Sequence, residues 1–289
     1  MSIRNLRTLV AIKDHGSFAA ASDALGLTHS AVSMQVKILE ETYGARLFDR
    51  SERPPRLTEP GEALIQHARE VLALYDGLAD AIAADSAIHG VLKVGVIPTA
   101  LTGIAPRVLS ELRRVYPSLQ IQLSSAMSGD LLDMVRRNEL DVALQSEPTR
   151  VPEDLEWTRV LKQKVVVVAP PQLRARRDTE VLGEWPYIRF NRRSWVAPMI
   201  AGALRVRGLG LAQSMELDSL EAIYMMVQAG LGVSIIPDSS AFSPVRPDVH
   251  ILPFGPPQIE RWIGFLCKKT PLKNKTITGL IEAARVALA

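Results

Sequence analysis

Apolar residues recur at helical spacing through the first part of the chain. Residues 3–14 carry apolar side chains three and four positions apart, which predicts an amphipathic helix. Residues 16–50 contain two further apolar stripes separated by Gly26, and glycine suits the left-handed backbone of a tight turn. Ser17 and Thr28 stand where each of these helices would begin, and either hydroxyl can cap free N–H groups. The pattern predicts two short helices joined by a turn.

The helix that follows Thr28 has an apolar face and a polar face. Val32, Val36, Leu39 and Tyr43 are predicted to point inward at helical spacing. The opposite face, named here the reading face, carries mostly small polar side chains: His29, Ser30, Ser33, Met34, Gln35 and Lys37. Such a face suits the floor of a DNA major groove. The spacing is equally consistent with an ordinary helical hairpin whose polar face is solvated.

Residues 46–58 place four arginines around Pro54 and Pro55. Because proline disfavours a helix there, two short strands forming a basic wing are expected. Arg50 and Arg53 would contact DNA phosphates or the minor groove. The alternative is a solvated basic loop that nearby acidic residues partly neutralise.

One long helix is predicted from Pro60 to about Ile88, and His89-Gly90 ends it. At ~28 residues it would be ~40 Å long. Its apolar residues alternate by four and three, as in a coiled-coil seam: Leu64, Ala68, Val71, Tyr75, Leu78 and Ile82. A second copy of the chain is expected to cover this seam and to hold two reading faces at a fixed separation, which implies a palindromic operator. The alternative is a helix packed on its own second domain.

The N-terminal region resembles the winged helix-turn-helix of the LysR-type transcriptional regulators. The matching residues are Leu6, Leu9, GSF at 16–18, Ala20, Ala21, Leu25, SAVS at 30–33, Gln35, Leu39, Glu40, Gly44, LFDR at 47–50, Leu57, Thr58 and Gly61. His29 and Met34 stand where the family most often has Gln and often has Arg, so no base preference is implied at either position. The resemblance implies double-stranded DNA as partner, contacted by Ser17, Thr28, the reading face, Arg50 and Arg53.

Beyond residue 90 strands and helices alternate. Apolar runs at 92–97, 119–124 and 140–145 are separated by helices near 103–116 and 129–138, a βαβαβ pattern with a parallel sheet. The remaining elements are strands in 157–170, at 187–190 and at 261–267, helices near 196–207, 219–230 and 272–288, and the segment AGLGVSIIP at 229–237. Two α/β lobes joined by crossing strands are expected.

The second half of the chain resembles the periplasmic-binding-protein-like effector domain of the same family. The matching segments are GVIPT at 95–99, YP at 116–117, LDVAL at 140–144 and AGLGVSIIP at 229–237. The expected fold is α/β multidomain: a winged helix-turn-helix at 1–58, a linker dimerisation helix at 59–89, and a two-lobed effector domain at 90–289, with lobe I about 90–161 and 268–289 and lobe II about 162–267.

Polar residues follow three strands in succession. Ligands of open α/β sheets bind outside the carboxyl ends of strands, where helix N-termini favour a carboxylate or another small anion. Each serine or threonine alone can also be a plain helix cap. The resemblance implies that Thr99, Thr102 and Ser128 line the effector cleft. The remaining candidates are Gln145 after the third strand and Asn191, Trp195 and Asp218 in the other lobe.

Composition narrows the classes without deciding among them. The 289 residues are 47% hydrophobic and 22% charged, with a net charge of +3, so bulk charge does not establish a nucleic-acid partner. The single Cys267 excludes an internal disulfide, and the five scattered histidines form no Cys/His cluster, so neither a metal nor a cofactor is expected. The first residues lack a secretion signal, and no apolar run reaches ~20 residues. A cytoplasmic protein without a membrane span is expected.

Two function classes fit these observations. The first is a transcriptional regulator that binds a palindromic operator as a homodimer or homotetramer and responds to a small-molecule effector, expected to be anionic and carboxylate-like, bound between the lobes. The second is a cytoplasmic small-molecule-binding protein or an enzyme with an accessory helical head. The sequence shows no metal cluster, phosphate loop or Ser/His/Asp set, and GLGVS at 230–234 precedes a strand rather than a helix, so no catalytic residue is assigned.

Overall fold

The computed structural model describes residues 2–51, 54–82, 88, 90–173, 175, 177–239 and 248–289. The chain divides into two compact units. One is Met1–Ser86 with Arg137–Glu139, and the other is Ala87–Arg136 with Leu140–Ala289.

The first unit is a winged helix-turn-helix followed by a long helix. Its elements are α1 Ile3–His15, α2 Phe18–Leu25, α3 His29–Tyr43, β1 Phe48–Asp49, β2 Arg56–Leu57 and α4 Glu59–Ile82. The two predicted caps are confirmed. Ser17 Oγ accepts from the Ala20 N–H at 3.1 Å, and Thr28 Oγ1 accepts from the Ala31 N–H at 3.2 Å. Gly26 takes the left-handed conformation, with φ of 64°.

The hydrophobic core of this unit is formed by apolar residues on one face of each of its longer helices. Val32, Val36 and Leu39 of α3 are buried, as predicted. The inward prediction for Tyr43 is wrong, because the last turn of α3 extends past this core and leaves Tyr43 exposed. The register of α3 was therefore correct, but the spacing could not show where the core ends.

Helix α4 presents two apolar stripes instead of the single predicted seam. Ile65, Ala68 and Leu72 are buried in the core of the helix-turn-helix, and Leu64 packs against them. The placement of Leu64 and Ala68 in an exposed seam is therefore wrong, since the first turns of α4 help to build their own module. The exposed stripe consists of Val71, Leu74, Tyr75 and Leu78. The side chain of Ile82 and the predicted extension through residues 83–87 and 89 lie outside the described residues.

The second unit contains sixteen elements among its described residues. They are β3 Gly90–Val96, α5 Pro98–Leu101, α6 Ile104–Val115, β4 Leu119–Ser125, α7 Ser128–Arg136, β5 Val142–Ser146, β6 Leu155–Ala169, α8 Asp178–Leu182, β7 Tyr187–Phe190, α9 Val196–Val206, β8 Gln213–Leu217, α10 Leu220–Gln228, β9 Ser234–Pro237, β10 His250–Pro253, β11 Glu260–Lys268 and α11 Asn274–Leu288. The sequence pattern missed α5, α8, β8 and β10, and it divided the continuous β6 into two strands.

A single sheet runs through both lobes. Its strand order is β10-β6-β11-β5-β3-β4, and β9 also pairs with β6. Strand β3 is parallel to β4 and β5, which confirms the predicted parallel unit. The first half of β6 pairs with β11 and its second half with β9 and β10, so β6 runs through both lobes, as expected of a crossing strand. The β6–β11 register shifts between Ile263 and Gly264, where a β-carbon on Gly264 would lie 2.2 Å from the Thr158 carbonyl oxygen.

Each lobe has its own hydrophobic core. The first lobe packs β3 and β5 against helices α6 and α11, and the second packs the apolar end of β6 against α9 and α10. Ile263, Phe265 and Leu266 of β11 belong to the first core, because that half of the strand pairs with β5. The structure thus assigns this half of β11 to the first lobe, whereas the boundary drawn from the sequence gave it to the second.

Candidate functional site

The reading face is largely exposed along α3. His29, Ser30, Met34 and Lys37 are exposed, and Ser33 is half-buried. Met34 leaves 58% of its surface accessible, which is unusual for a methionine in a well-packed helix. The Lys37 ammonium lies 3.6 Å from the Glu41 carboxylate one turn later. The first half of α3 therefore offers a row of side chains to a partner.

Gln35 lies at the edge of this face and is partly committed to the fold. Its Oε1 accepts a hydrogen bond from the Thr8 hydroxyl of α1 at 2.6 Å, and the side chain is half-buried. This contact fixes α3 on α1 and leaves the amide NH2 group for an outward hydrogen bond.

Aromatic packing connects the start of α3 to the wing. The Phe18 ring stacks edge-on against Phe48 with centroids 4.8 Å apart, and its centroid lies 6.2 Å from that of His29. Ser17 and Thr28 serve as caps, and the Thr28 and Ser30 hydroxyl oxygens lie 3.0 Å apart. Ser17 and Thr28, predicted to contact DNA, therefore also have a structural role as helix caps.

The wing is joined to α3 through Glu40. One Glu40 carboxylate oxygen accepts from the Leu47 N–H at 2.9 Å, and the other lies 3.3 Å from Arg50 Nη2. The Arg50 guanidinium is 59% exposed, so it can contact an external anion while this carboxylate orients it. Arg53, the other predicted wing contact, lies outside the described residues.

The most unusual polar group of the second unit is the guanidinium of Arg261 at the start of β11. Its Nη2 donates to Thr99 Oγ1 at 2.8 Å, and its Nη1 donates to Ser146 Oγ at 3.0 Å. Nε and Nη2 both donate to Gln163 Oε1, at 3.0 and 2.8 Å. Arg261, Thr99, Ser146 and Gln163 are all buried, and they are named here the Arg261 cluster.

The Arg261 cluster lies where the predicted site was expected, at the carboxyl ends of β3 and β5. Thr99 follows β3 and Ser146 is the last residue of β5. Burial lowers the pKa of Arg261 to about 9, and the guanidinium is still protonated at neutral pH. In the described part of the chain, no carboxylate pairs with it.

Gln145 and Ser128 are also buried in this lobe. Gln145 has no exposed surface, and neither amide atom has a hydrogen-bond partner among the described residues. Because successive strand residues point to opposite faces, Gln145 points away from the face on which Ser146 meets Arg261. Ser128 is the first residue of α7. A buried amide without partners is rare and indicates that a water or ligand satisfies it.

Three pairs of residues lie near each other between the two lobes. Thr102 is close enough to the Glu221 carboxylate of α10 to affect its pKa. Burial raises the pKa of Glu221, but hydrogen bonding from the Glu221 backbone, Thr102 and Ser219 outweighs burial, so the pKa is lowered. Arg193 Nη2 lies 3.4 Å from Asp130 of α7. Trp195 Nε1 lies 4.0 Å from the position that a β-carbon on Gly129 would take.

The remaining predicted effector residues lie apart from the Arg261 cluster. Asn191 Oδ1 accepts from the Arg193 N–H at 2.8 Å and so shapes its own loop. Asp218 is exposed, directly before Ser219, which caps α10. The structure therefore brings Thr99 to the Arg261 cluster and places Thr102 and Trp195 at contacts between the lobes. It does not bring Asn191 or Asp218 to the cluster.

Sequence reasoning missed Arg261 and Gln163. Both interrupt apolar strands, Arg261 ahead of WIGFLC and Gln163 ahead of KVVVVA. Their position within apolar strands was the available signal. A charged or amide side chain in a buried strand needs hydrogen-bond partners, so it indicates a polar site inside the fold.

Two negative findings accompany the site. In the described ranges no group of three or more His, Cys, Asp or Glu side chains is placed to hold a metal ion. No helix within the part of the chain that the structure describes is both long and apolar enough to span a bilayer.

Family models match both units. Residues 3–62 match the bacterial regulatory helix-turn-helix protein, LysR family, and residues 86–289 match the LysR substrate binding domain. The HTH-type transcriptional regulator CbbR of Rhodospirillum rubrum is 30% identical over 239 residues, which is 81% of this chain and 78% of that protein. A probable RuBisCO transcriptional regulator of Synechocystis is 28% identical over 97% of this chain and 85% of its own length.

Solved structures match over almost the whole chain. A full-length OxyR variant from Pseudomonas aeruginosa superposes with a TM-score of 0.78 at 25% identity, covering 99% of this chain and 95% of that one. Full-length CbnR in complex with its target DNA has the same fold, with a TM-score of 0.67 at 20% identity, covering 99% and 100%.

Proposed function

Because this chain belongs to the LysR family of bacterial transcriptional regulators, we propose that it binds an interrupted palindromic operator as a homodimer or a dimer of dimers. We further propose that a small carboxylate bound between the lobes changes this binding, and that the protein acts in the cytoplasm. The chain is a transcriptional regulator with a DNA-binding and an effector-binding domain, and it is not an enzyme.

The observation that carries the proposal is the geometry of α3. Val32, Val36 and Leu39 anchor the helix in its module, while His29 and Met34 project outward from its first two turns. A helix fixed in this way can enter a major groove with its N-terminal side chains against base edges. The basic wing then supplies phosphate contacts through Arg50.

The exposed apolar stripe on α4 supports dimerisation. Val71, Leu74, Tyr75 and Leu78 repeat at steps of three and four along one solvent-facing side of the helix. A contiguous apolar stripe of this kind marks a protein interface. Because two copies of the same stripe are self-complementary, a two-fold dimer is the simplest arrangement.

The two-lobed domain supports ligand control. Glu221 and Asp130 each contact the opposite lobe, so a change in lobe closure would alter both contacts. A ligand that binds the closed form more tightly shifts the population toward closure. Such a shift would change how the dimer engages its two half-sites.

A gel-shift assay with DNA from the promoter of the chain's own gene tests the proposal. Met34→Ala removes an exposed reading-face side chain, and we expect specific affinity to fall about fivefold or more while nonspecific affinity is retained. Thr42→Ala, an exposed change in the last turn of the same helix, is the matched control and should leave both affinities unchanged. Equal losses on specific and nonspecific DNA, or binding that salt does not weaken, would contradict the proposal.

A further inference from the structure

We propose that Arg261 is the anion-binding residue of the effector site and that the effector presents a single negative charge to it, as a monocarboxylate does. This inference rests on the proposed function, since it assigns chemistry to the same cleft between the lobes. It adds a residue that the sequence pattern did not supply, and it narrows the expected anionic, carboxylate-like effector to one with a single negative charge.

The first support is the unbalanced charge of Arg261. Only 5% of its surface is accessible, and its described partners are two hydroxyls and one amide, all of them neutral. Residues 240–247, which follow Ser239 and lie outside the described residues, contain no Asp or Glu. Burying a charge without an opposite charge is costly, so the site is expected to acquire an anion.

The second support is a comparison with two other arginines of this chain, the half-buried Arg207 and the buried Arg69. Arg207 is paired with Asp178 through two hydrogen bonds, and Arg69 is paired with Asp14. The fold thus gives a carboxylate to these arginines and none, among its described residues, to Arg261. The low pKa of Arg261, which burial alone causes, agrees with this difference.

The third support is the donor geometry around the guanidinium. An arginine has five N–H donors, and the described contacts of Arg261 use Nε once, Nη1 once and Nη2 twice. One Nη1 proton therefore stays available to an incoming oxygen. The Thr99 and Ser146 hydroxyls can rotate and donate to the same oxygen, because a hydroxyl is both donor and acceptor.

The charge count then selects the class of ligand. One guanidinium in a ring of neutral groups balances one negative charge. A dianion such as sulfate would leave an unbalanced negative charge in the same buried place. A neutral amide of the same shape would leave the guanidinium uncompensated.

Gln163→Glu tests the inference by providing an internal counter-ion of almost the same shape. Acetate is the probe, with acetamide as its neutral counterpart and sulfate as the dianion, at constant ionic strength set with sodium chloride. Thermal unfolding and titration calorimetry are measured on the full-length protein at neutral pH. We expect acetate to raise the unfolding midpoint of the wild type more than either other probe, because a ligand selective for the native state stabilises it.

In Gln163→Glu the affinity for acetate should fall at least about tenfold, because the new carboxylate pairs with the Arg261 guanidinium and leaves no positive charge for acetate to neutralise. Gln122→Glu, which makes the same change on the exposed strand β4, should retain the wild-type response. Arg261→Met is the second variant. It should lose the acetate response, and because the substitution also leaves Gln163 Oε1 without its described donors, its unfolding midpoint without probe is expected to be lower than that of the wild type.

Three outcomes would overturn the inference: no acetate response in the wild type, an equal response to acetamide, or a full acetate response in Gln163→Glu. Operator binding by the wild type is measured separately by gel shift. Its absence would contradict the proposed function, whereas an acetate response that Gln163→Glu leaves unchanged would contradict this inference alone.

Discussion

At the scale of single residues, Asp178 and Arg207 show how this fold stabilises a buried charge. Arg207 donates to both Asp178 oxygens, at 2.6 and 2.8 Å, and the Gly255 N–H donates to Asp178 at 3.0 Å. Burial raises the pKa of Asp178, but the Arg207 and Gly255 bonds outweigh burial, so the pKa is lowered. The pair connects α8, the end of α9 and the loop before β11.

Asp178→Asn should destabilise the protein at neutral pH by about 2 kcal/mol, because it removes the buried carboxylate and leaves the half-buried Arg207 without its charged partner. In the wild type this stabilisation is present above the ordinary aspartate pKa of 3.8 and is lost as the pH falls through the lowered pKa of the folded state. Urea unfolding at neutral and acid pH measures both effects.

The variant should lose less stability on acidification than the wild type, because its residue 178 does not titrate. Glu111→Gln, which breaks the exposed Glu111–Arg114 pair, is the control and should leave the unfolding midpoint unchanged. If Asp178→Asn unfolded at the same urea concentration as the wild type, the stabilising role given to the Asp178–Arg207 pair would be contradicted.

At the scale of elements, α4 performs two tasks on two faces. Ile65, Ala68 and Leu72 belong to the core of the first unit. Leu74 and Leu78 lie on the exposed stripe, about a third of a turn from the buried one at ~100° per residue. The helix can therefore complete its own module and still offer an apolar surface to a second copy.

The double variant Leu74→Asp and Leu78→Asp should dissociate the dimer, because two charges would face their own copies across an apolar interface. Sedimentation velocity and helical circular dichroism measure assembly and folding together. We expect a monomer with retained helix content and an operator affinity at least about tenfold lower. Gln66→Asp, an exposed change on another face of α4, should leave assembly intact. A double variant that sediments as the wild type would rule out this stripe as the interface.

At the scale of the whole molecule, DNA recognition must come from placement more than from bulk charge. The net charge is only +3, so nonspecific attraction to the duplex is modest. In the proposed dimer, specific affinity comes from two reading faces that engage two half-sites at once. The proposal therefore predicts that the spacing between the half-sites is set by the dimer.

Insertion of ~5 bp between the half-sites rotates one of them by about half a helical turn, and we expect operator affinity to fall about tenfold or more. Insertion of ~10 bp returns both half-sites to the same side of the duplex, and part of the lost affinity should be recovered. Gel shifts with the three spacings, at one salt concentration, make the comparison. Two-fold recognition would be contradicted if the operator affinity fell further at ~10 bp than at ~5 bp, or if neither insertion lowered it.

Local patterns were sufficient for the helices of the first unit and for the parallel strands of the second. Helical spacing and two caps located α2 and α3, and apolar runs located the parallel strands β3, β4 and β5. These features could be predicted because helix starts, turns and strand faces depend on residues within a few positions of each other. The resemblance to a regulator family rested on the same local motifs, and the family models confirm it.

Contacts between distant residues were decided only by the tertiary structure. Spacing indicated that Ala68 lies on an apolar face of α4, but not that this face packs into its own module. Thr99 was expected at a ligand site, yet its partner Arg261 lies 162 residues further along the chain. Ser146 and Gln163 reach the same guanidinium across 115 and 98 residues. No periodicity connects residues so far apart, because crossing strands and the packing of two lobes bring them together.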